Sequence, residues 1–431
     1  MHRLIINKLG PIEHCELDCK KFMTFTGFQA SGKSTIAKAI FFFRTVKDDI
    51  YSIAENNALN SVSDASSGTL KNQLIEYLRE KFLRVFGSSW AMDMSMYIEY
   101  QYTDEIFIKI MLDKNSNYPT PNYVWVELSK PLQAFLKNNS HTLTATALGV
   151  PEKQQKDFLK VLHDVFDDEY QVVYIPAGRS MLTMLSQQLS YIYATMKDTQ
   201  KRMLDYCTQD YIERILRLKS EYTDGYTGIV AYHGIENGIS KGLVNTLLEF
   251  MLKILKGTYR YNDGEERIYI NDSQYVKMNF ASSGQQESVW ILNLIFYYIV
   301  RSEPVLFIIE EPESNLFPES QKYITELISL ANHYNHAVIL TTHSPYVLGT
   351  LNNLLYANQL DPAAHCQASR IIPDNLWLDY EDFDAWFLKH GSIENCMDDE
   401  LHMIQNEKID EISKTINSDF DQLLELQLSD E

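Results

Sequence analysis

Apolar and polar positions alternate with two periods along this chain, and the switches between them outline its elements. Residues 2–9 and 12–17, parted by Gly10-Pro11, predict two short strands. Phe22-Met23-Thr24-Phe25-Thr26 predicts a third, expected to share an edge with the first two. The polar stretch from Ala54 to Gly68 predicts a loop. Leu70, Leu74, Tyr77, Leu78 and Phe82 are spaced for one face of a helix over 70–86. Ser95–Tyr102, Glu105–Leu112 and Asn122–Leu128 predict an antiparallel meander, joined by Thr103-Asp104 and the loop 114–122. A charged helix is predicted over 152–167.

The second half is more apolar. Gln171–Pro176 reads as a buried strand. A long helical region occupies 180 to 258, interrupted near Gly225–Gly238, and it lacks the sustained heptads of a coiled coil. Arg267–Ile270 and Tyr275–Phe280 predict a hairpin, and Val289–Val300 an apolar helix. Val305–Ile309 and Ala337–Thr341 are continuous apolar runs, as strands covered on both faces of a parallel sheet should be. No internal repeat is visible.

Hydrophobic residues make up 45% and charged residues 22% of the 431, ordinary for a folded protein with a large core. No apolar run approaches the roughly 18 residues of a membrane span, and the first strand is too short for a secretory segment. The five cysteines fit reduced thiols in the cytoplasm. Cys15 and Cys19 lack a second pair to complete a metal site. A net charge of −20 argues against general nucleic-acid binding, which depends on phosphate neutralisation. Lys197, Lys201, Arg202, Arg214, Arg217 and Lys219 cluster in the helical region and read as a solvated face, with a local basic path as the alternative.

Candidate chemistry centres on Gly27-Phe28-Gln29-Ala30-Ser31-Gly32-Lys33-Ser34-Thr35, which fits G-x-x-x-x-G-K-[ST] between a predicted strand and a predicted helix. Glycines let the backbone close around an anion, and a helix N-terminus offers unpaired N–H groups to phosphate. Lys33 is expected to reach the β- and γ-phosphates, and Ser34 to place its hydroxyl on Mg²⁺. Val305–Ile309 ends in Glu310-Glu311, with Glu310 expected to hold the metal and Glu311 to polarise an attacking water. Ala337–Thr341 leads into Thr342-His343-Ser344-Pro345, which aims His343 at the crevice where such sheets bind ligands. Ser282-Ser283-Gly284-Gln285 precedes the apolar helix and predicts a second anion-binding turn. One nucleotide has no use for two cradles in one chain, whereas a dimer does.

Taken in chain order, as loop, 282–285 turn, Glu310-Glu311 strand end and His343, the four motifs resemble the ABC-type ATPase head of the SMC and RecF-like group. Four stretches, YIPAGRS (174–180), SSGQQE (282–287), FIIEEPESNLFP (307–318) and TTHSPY (341–346), resemble the marks of ATPases related to the OLD nucleases, such as the PtuA type of Septu and the AriA type of PARIS anti-phage systems. The resemblance covers about residues 1–357 and implies an α/β fold: a mixed central sheet with an antiparallel β-subdomain, a helical insertion at about 180–258 and a short helical C-terminal tail. It implies ATP and Mg²⁺ as cofactors. Gly27, Gln29, Ala30, Ser31, Gly32, Lys33, Ser34 and Thr35 would bind the phosphates, with Ser34 and Glu310 on the metal. Glu311 and His343 would be catalytic. Ser282, Ser283, Gly284 and Gln285 would face nucleotide as the signature. Two departures stand out: Ser283 replaces the signature's first Gly, and Phe317 stands where transporters place an Asp. Gln101 is a candidate for the glutamine lid.

These implications add up to a cytoplasmic ATPase that forms a homodimer or higher homo-oligomer around ATP and hydrolyses it slowly. Such a switch would control a separate effector, such as a nuclease, in anti-phage defence. Residues 358–431 would form an acidic tail that caps the head or docks a partner. The rivals are a RecF-like DNA-binding repair factor, a nucleotide-binding scaffold and a self-contained nuclease. The last would need Asp382-Phe383-Asp384 as a metal site, but its neighbours predict an amphipathic helix.

Overall fold

The computed structural model describes residues 2–60, 69–89, 92–113, 123–146, 152–184, 186–201, 204–271, 273–405, 418 and 421–422. The rest of the loop beyond residue 60, the loop 114–122, Arg202 and most of the acidic stretch 419–424 lie outside them.

At the centre is a six-stranded sheet in the order Ser392–Asn395, Phe383–Lys389, Phe22–Gly27, Ala337–Thr341, Val305–Glu310, Gln171–Ile175. All neighbours are parallel except the 392–395 edge strand, which is antiparallel. Successive side chains of a strand point to opposite faces, so an all-apolar strand serves two cores. Phe307 and Ile309 enter one hydrophobic cluster, Leu306 and Ile308 the other. The first cluster packs under the helix Ser283–Arg301, buried at every position from Gln286 to Val300. A helix apolar all round has no solvent face, which fixes it in the interior. The second cluster joins the Lys33–Arg44 and Leu70–Phe86 helices to the antiparallel sheet.

That second sheet is five-stranded and antiparallel, in the order Ile12–Asp18, Arg3–Leu9, Tyr97–Gln101, Phe107–Asp113, Tyr123–Leu128. The meander is as expected. The first two strands, however, pair here and not with Phe22–Gly27, which lies in the other sheet. Alternation of buried and open positions in Arg3–Leu9 marks a strand with one wet face.

Three further expectations need correction. Residues 54–60 are helical, the end of a helix over Val46–Asn60. Thr258, the end of the expected helical region, begins a strand over Thr258–Asn262, so the hairpin is a three-stranded sheet. Asp382-Phe383-Asp384 does not lie in a helix, because Phe383–Lys389 pairs in parallel with the strand that feeds the glycine loop. Its apolar residues match a helical spacing as well as a strand, and only the vacant edge beside Phe22–Gly27 decides between them.

The region 179–255 is helical in short pieces; of its basic cluster Lys197 and Arg217 are exposed as expected, whereas Arg214 and Lys219 are not on a solvated face. Arg214 is buried, donating to the Tyr298 hydroxyl at 2.7 Å and the Val172 carbonyl at 3.0 Å. Lys219 is buried against Glu266 at 2.9 Å. No helix among the described residues is long and apolar enough to cross a membrane.

Candidate functional site

Three strands deliver the site residues to one edge of the sheet. Glu310 is in register with Thr341, and Thr341 with Phe25, so the three chains end side by side. Just beyond them come Glu311, Thr342-His343 and the loop that starts at Gly27. A crevice at the C-terminal ends of parallel strands is where α/β sheets bind ligands.

The loop has the backbone the chemistry requires. Gly27, Ala30 and Gly32 have φ of 131°, 58° and 109°. A side chain on Gly32 would stand 2.2 Å from Ile12 Cδ1, and one on Gly27 would stand 2.1 Å from the Leu388 carbonyl oxygen. Gly32 caps the Lys33–Arg44 helix without a side-chain bond, and the first turn holds no carboxylate. Its free N–H groups and positive dipole end therefore remain available to an anion. Lys33 is buried, and its ammonium donates to the Gly27 and Phe28 carbonyls at 3.1 and 2.8 Å. Burial lowers its pKa to about 8, against the opposing pull of Glu311 and Glu313. Ser31 is buried with an unpartnered hydroxyl, whereas Ser34 is exposed at the helix start. Gln29 and Ala30 are exposed and Thr35 half-buried. Ser34, Thr35 and Lys38 also line a cleft of about 550 Å³, together with Gly10, Glu13 and Asp93.

The strand end carries three carboxylates. Glu310 is buried; one oxygen accepts the Ala177 N–H at 3.1 Å and the other has no partner. Glu311 has φ of 44°, and its N–H donates to the Thr341 carbonyl at 2.9 Å. Its carboxylate lies 3.5 Å from His343 Nε2 and accepts from Ser314. The bond from His343 holds its pKa below the usual carboxylate range, against the effect of burial.

Glu313 is the third carboxylate, and the motif reading gave it no role. It accepts from the Thr342 hydroxyl and the His343 N–H, both at 2.8 Å, and its other oxygen is a buried orphan. Burial raises its pKa. The sequence does carry a signal for it, a third Glu two residues after Glu311 on a turn that must face the same crevice.

Ser282 and Ser283 are exposed, and Gly284 and Gln285 half-buried. The turn is a capping box: the Ser282 hydroxyl accepts from the Gln285 N–H, and the Gln285 carboxamide accepts from the Ser282 N–H. Gln285 also donates to the Leu255 carbonyl at 2.7 Å, so its side chain is committed within the chain. Gly284 packs on the segment after Glu311; a side chain there would stand 2.7 Å from the Asn315 carbonyl. Phe317, at the end of that segment, is 75% exposed.

Gln101 sits in the antiparallel sheet and donates to Glu99 at 2.9 Å. Asp384 is buried beside Lys20 at 3.6 Å, and no cluster of three metal-ligating side chains occurs among the described residues.

The donor set fits a Mg²⁺–nucleoside triphosphate. The orphaned Glu310 oxygen and Ser31 hydroxyl, the Cβ-free cradle at Gly27 and Gly32 and the uncapped helix start are what such a ligand would satisfy.

The family to which the chain is similar agrees with this chemistry. A family model described as AAA ATPase domain matches residues 1–348. No curated protein matches the chain. Among solved structures, an Smc head bound to the C-terminal winged-helix domain of ScpA shares 10% identity, covering 91% of this chain and 95% of that one, with a TM-score of 0.41. An Smc head with an extended coiled coil bound to the C-terminal domain of ScpA, from Pyrococcus furiosus, shares 13% over 92% and 96%, with a TM-score of 0.39. The SMC head domain from Thermotoga maritima shares 13% over 81% and 90%, with a TM-score of 0.35.

Proposed function

The chain belongs to the AAA ATPase domain family, and on that premise we propose that it is a slow Mg-ATP switch working as a dimer. In this reading Gly27, Gln29, Ala30, Ser31, Gly32, Lys33 and Thr35 hold the phosphates. Ser34 and Glu310 hold Mg²⁺, which when bound neutralises charge developing on the phosphates. Glu311 polarises the attacking water, and His343 orients Glu311 and faces the γ-phosphate. Ribose and base extend into the cleft beside Ser34 and Thr35. Ser282, Ser283 and Gly284 close over the nucleotide of a second copy, while Gln285 shapes the turn from within.

One observation carries the dimer reading: Ser282 and Ser283 are exposed, on a turn that packs against the segment following Glu311. A turn sealed in the interior could not reach a neighbour's nucleotide.

The setting proposed is cytoplasmic anti-phage defence, with a separate effector such as a nuclease under the switch's control. The four motif wordings support it. We place the head at about 1–357, and the strand 383–389 argues for counting the first part of the tail with it. Residues from 405 onward would then dock the partner.

The reading is tested by turnover and binding. Lys33→Ala should abolish binding of a fluorescent ATP analogue, and Glu311→Gln should retain binding while losing hydrolysis. Unchanged hydrolysis in Glu311→Gln would remove that residue from its role.

A further inference from the structure

Arg179 is fully buried and spends its donors on three separate pieces of the site. Its Nε donates to the Glu287 carbonyl at 3.0 Å and lies 3.3 Å from the Glu287 carboxylate. One terminal nitrogen donates to the Pro176 and Glu310 carbonyls, both at 2.6 Å, and the other to the Glu311 carbonyl at 2.9 Å. The Glu287 carboxylate in turn accepts the N–H groups of Arg179 and Ser180 at 3.1 and 3.0 Å. Glu287 lies in the helix whose N-terminal cap carries the exposed Ser282 and Ser283. Glu311 sits at a positive φ, a conformation a non-glycine residue holds only when its surroundings impose it.

We propose that Arg179 is a positioning residue: through Glu287 it relays engagement of the 282–285 turn to the backbone of Glu310 and Glu311. The inference rests on the dimeric ATP reading, in which that turn grips the partner's nucleotide. A guanidinium is a rigid planar fork. When the helix start shifts against a neighbouring phosphate, the fork tilts, and the two carbonyls it holds move with it. Each protomer's catalytic carboxylate is thereby set by the nucleotide its own signature turn touches. A lysine would keep the charge but could not span Glu287 and both carbonyls.

The test compares Arg179→Lys and Glu287→Gln in the full chain with wild type, measuring kcat, KM for ATP, nucleotide affinity and melting temperature. The relay predicts that kcat per folded chain falls about tenfold or more while KM and affinity stay within about threefold. A purely structural staple would lower the melting temperature and leave kcat per folded chain unchanged, which would overturn the proposal. Hydrogen exchange on the unaltered chain needs no variant: the Arg179 and Ser180 amides should exchange more slowly when Mg-ATP dimers form. Unchanged exchange there would also overturn it. A wild-type chain without any ATP turnover would instead overturn the ATPase reading and the relay together.

Discussion

His343 Nε2 lies 3.5 Å from a carboxylate oxygen of Glu311, and about a third of each side chain is open to the crevice. The bond favours the ionised carboxylate and holds its pKa below the ordinary range. Activity should therefore persist as pH falls through the usual carboxylate range. His343→Ala should lower kcat by about 10- to 100-fold and move the acid limb of the pH profile upward. A pH–rate profile of both proteins checks this; an unmoved limb would separate His343 from Glu311.

Lys33 makes the opposite case. Its pKa is lowered to about 8 in the ligand-free chain because burial disfavours the ammonium. The group is thus neutral above that point, whereas the unfolded chain stays protonated to its higher ordinary value. Stability from this residue rises as pH increases through 8, while its attraction for phosphate falls. ATP affinity measured at pH 7, 8 and 9 should weaken above 8, and a flat profile would contradict this.

Gly27→Ala should damage fold and site together. The added carbon would meet the Leu388 backbone oxygen at 2.1 Å, at a φ of 131°. Backbone cannot yield as a side-chain tip can, so a loss of at least about 2 kcal/mol is expected. Denaturant unfolding should show a lower midpoint, with nucleotide binding lost in the folded fraction.

Lys219→Met should destabilise by about 3–5 kcal/mol, because it leaves the buried Glu266 carboxylate without its cation. Glu266 also accepts from the Tyr259 hydroxyl and the Trp290 indole, both at 2.9 Å, so the loss reaches the core helix. Urea titration measures it. A change of less than about 1 kcal/mol would place Lys219 at the surface, where exposed ion pairs contribute little.

The parallel strands were readable because Val305–Ile309 and Ala337–Thr341 are apolar on both faces, and the loop because its glycines and Lys33 sit between a strand and a helix. Sheet membership was not. Phe22–Gly27 and Arg3–Leu9 are both short strand-forming runs close together in the chain, and only long-range packing sends them to different sheets. The strand 383–389 was hidden for the same reason, since its pattern suits a helix until the vacant sheet edge is known. Arg214 and Lys219 looked solvated because sequence shows charge without the buried group that receives it, Tyr298 for one and Glu266 for the other. Glu313 was missed because its place depends on Thr342 and His343, some thirty residues away.

The claim that two copies enclose ATP is tested most directly by sedimentation velocity on the Glu311→Gln chain with and without Mg-ATP. The account predicts a mass that rises from the 50.0 kDa monomer to twice that with Mg-ATP, and stays at the monomer value when Ser282→Arg is added. A Glu311→Gln chain saturated with ATP that remains monomeric at every concentration would contradict it.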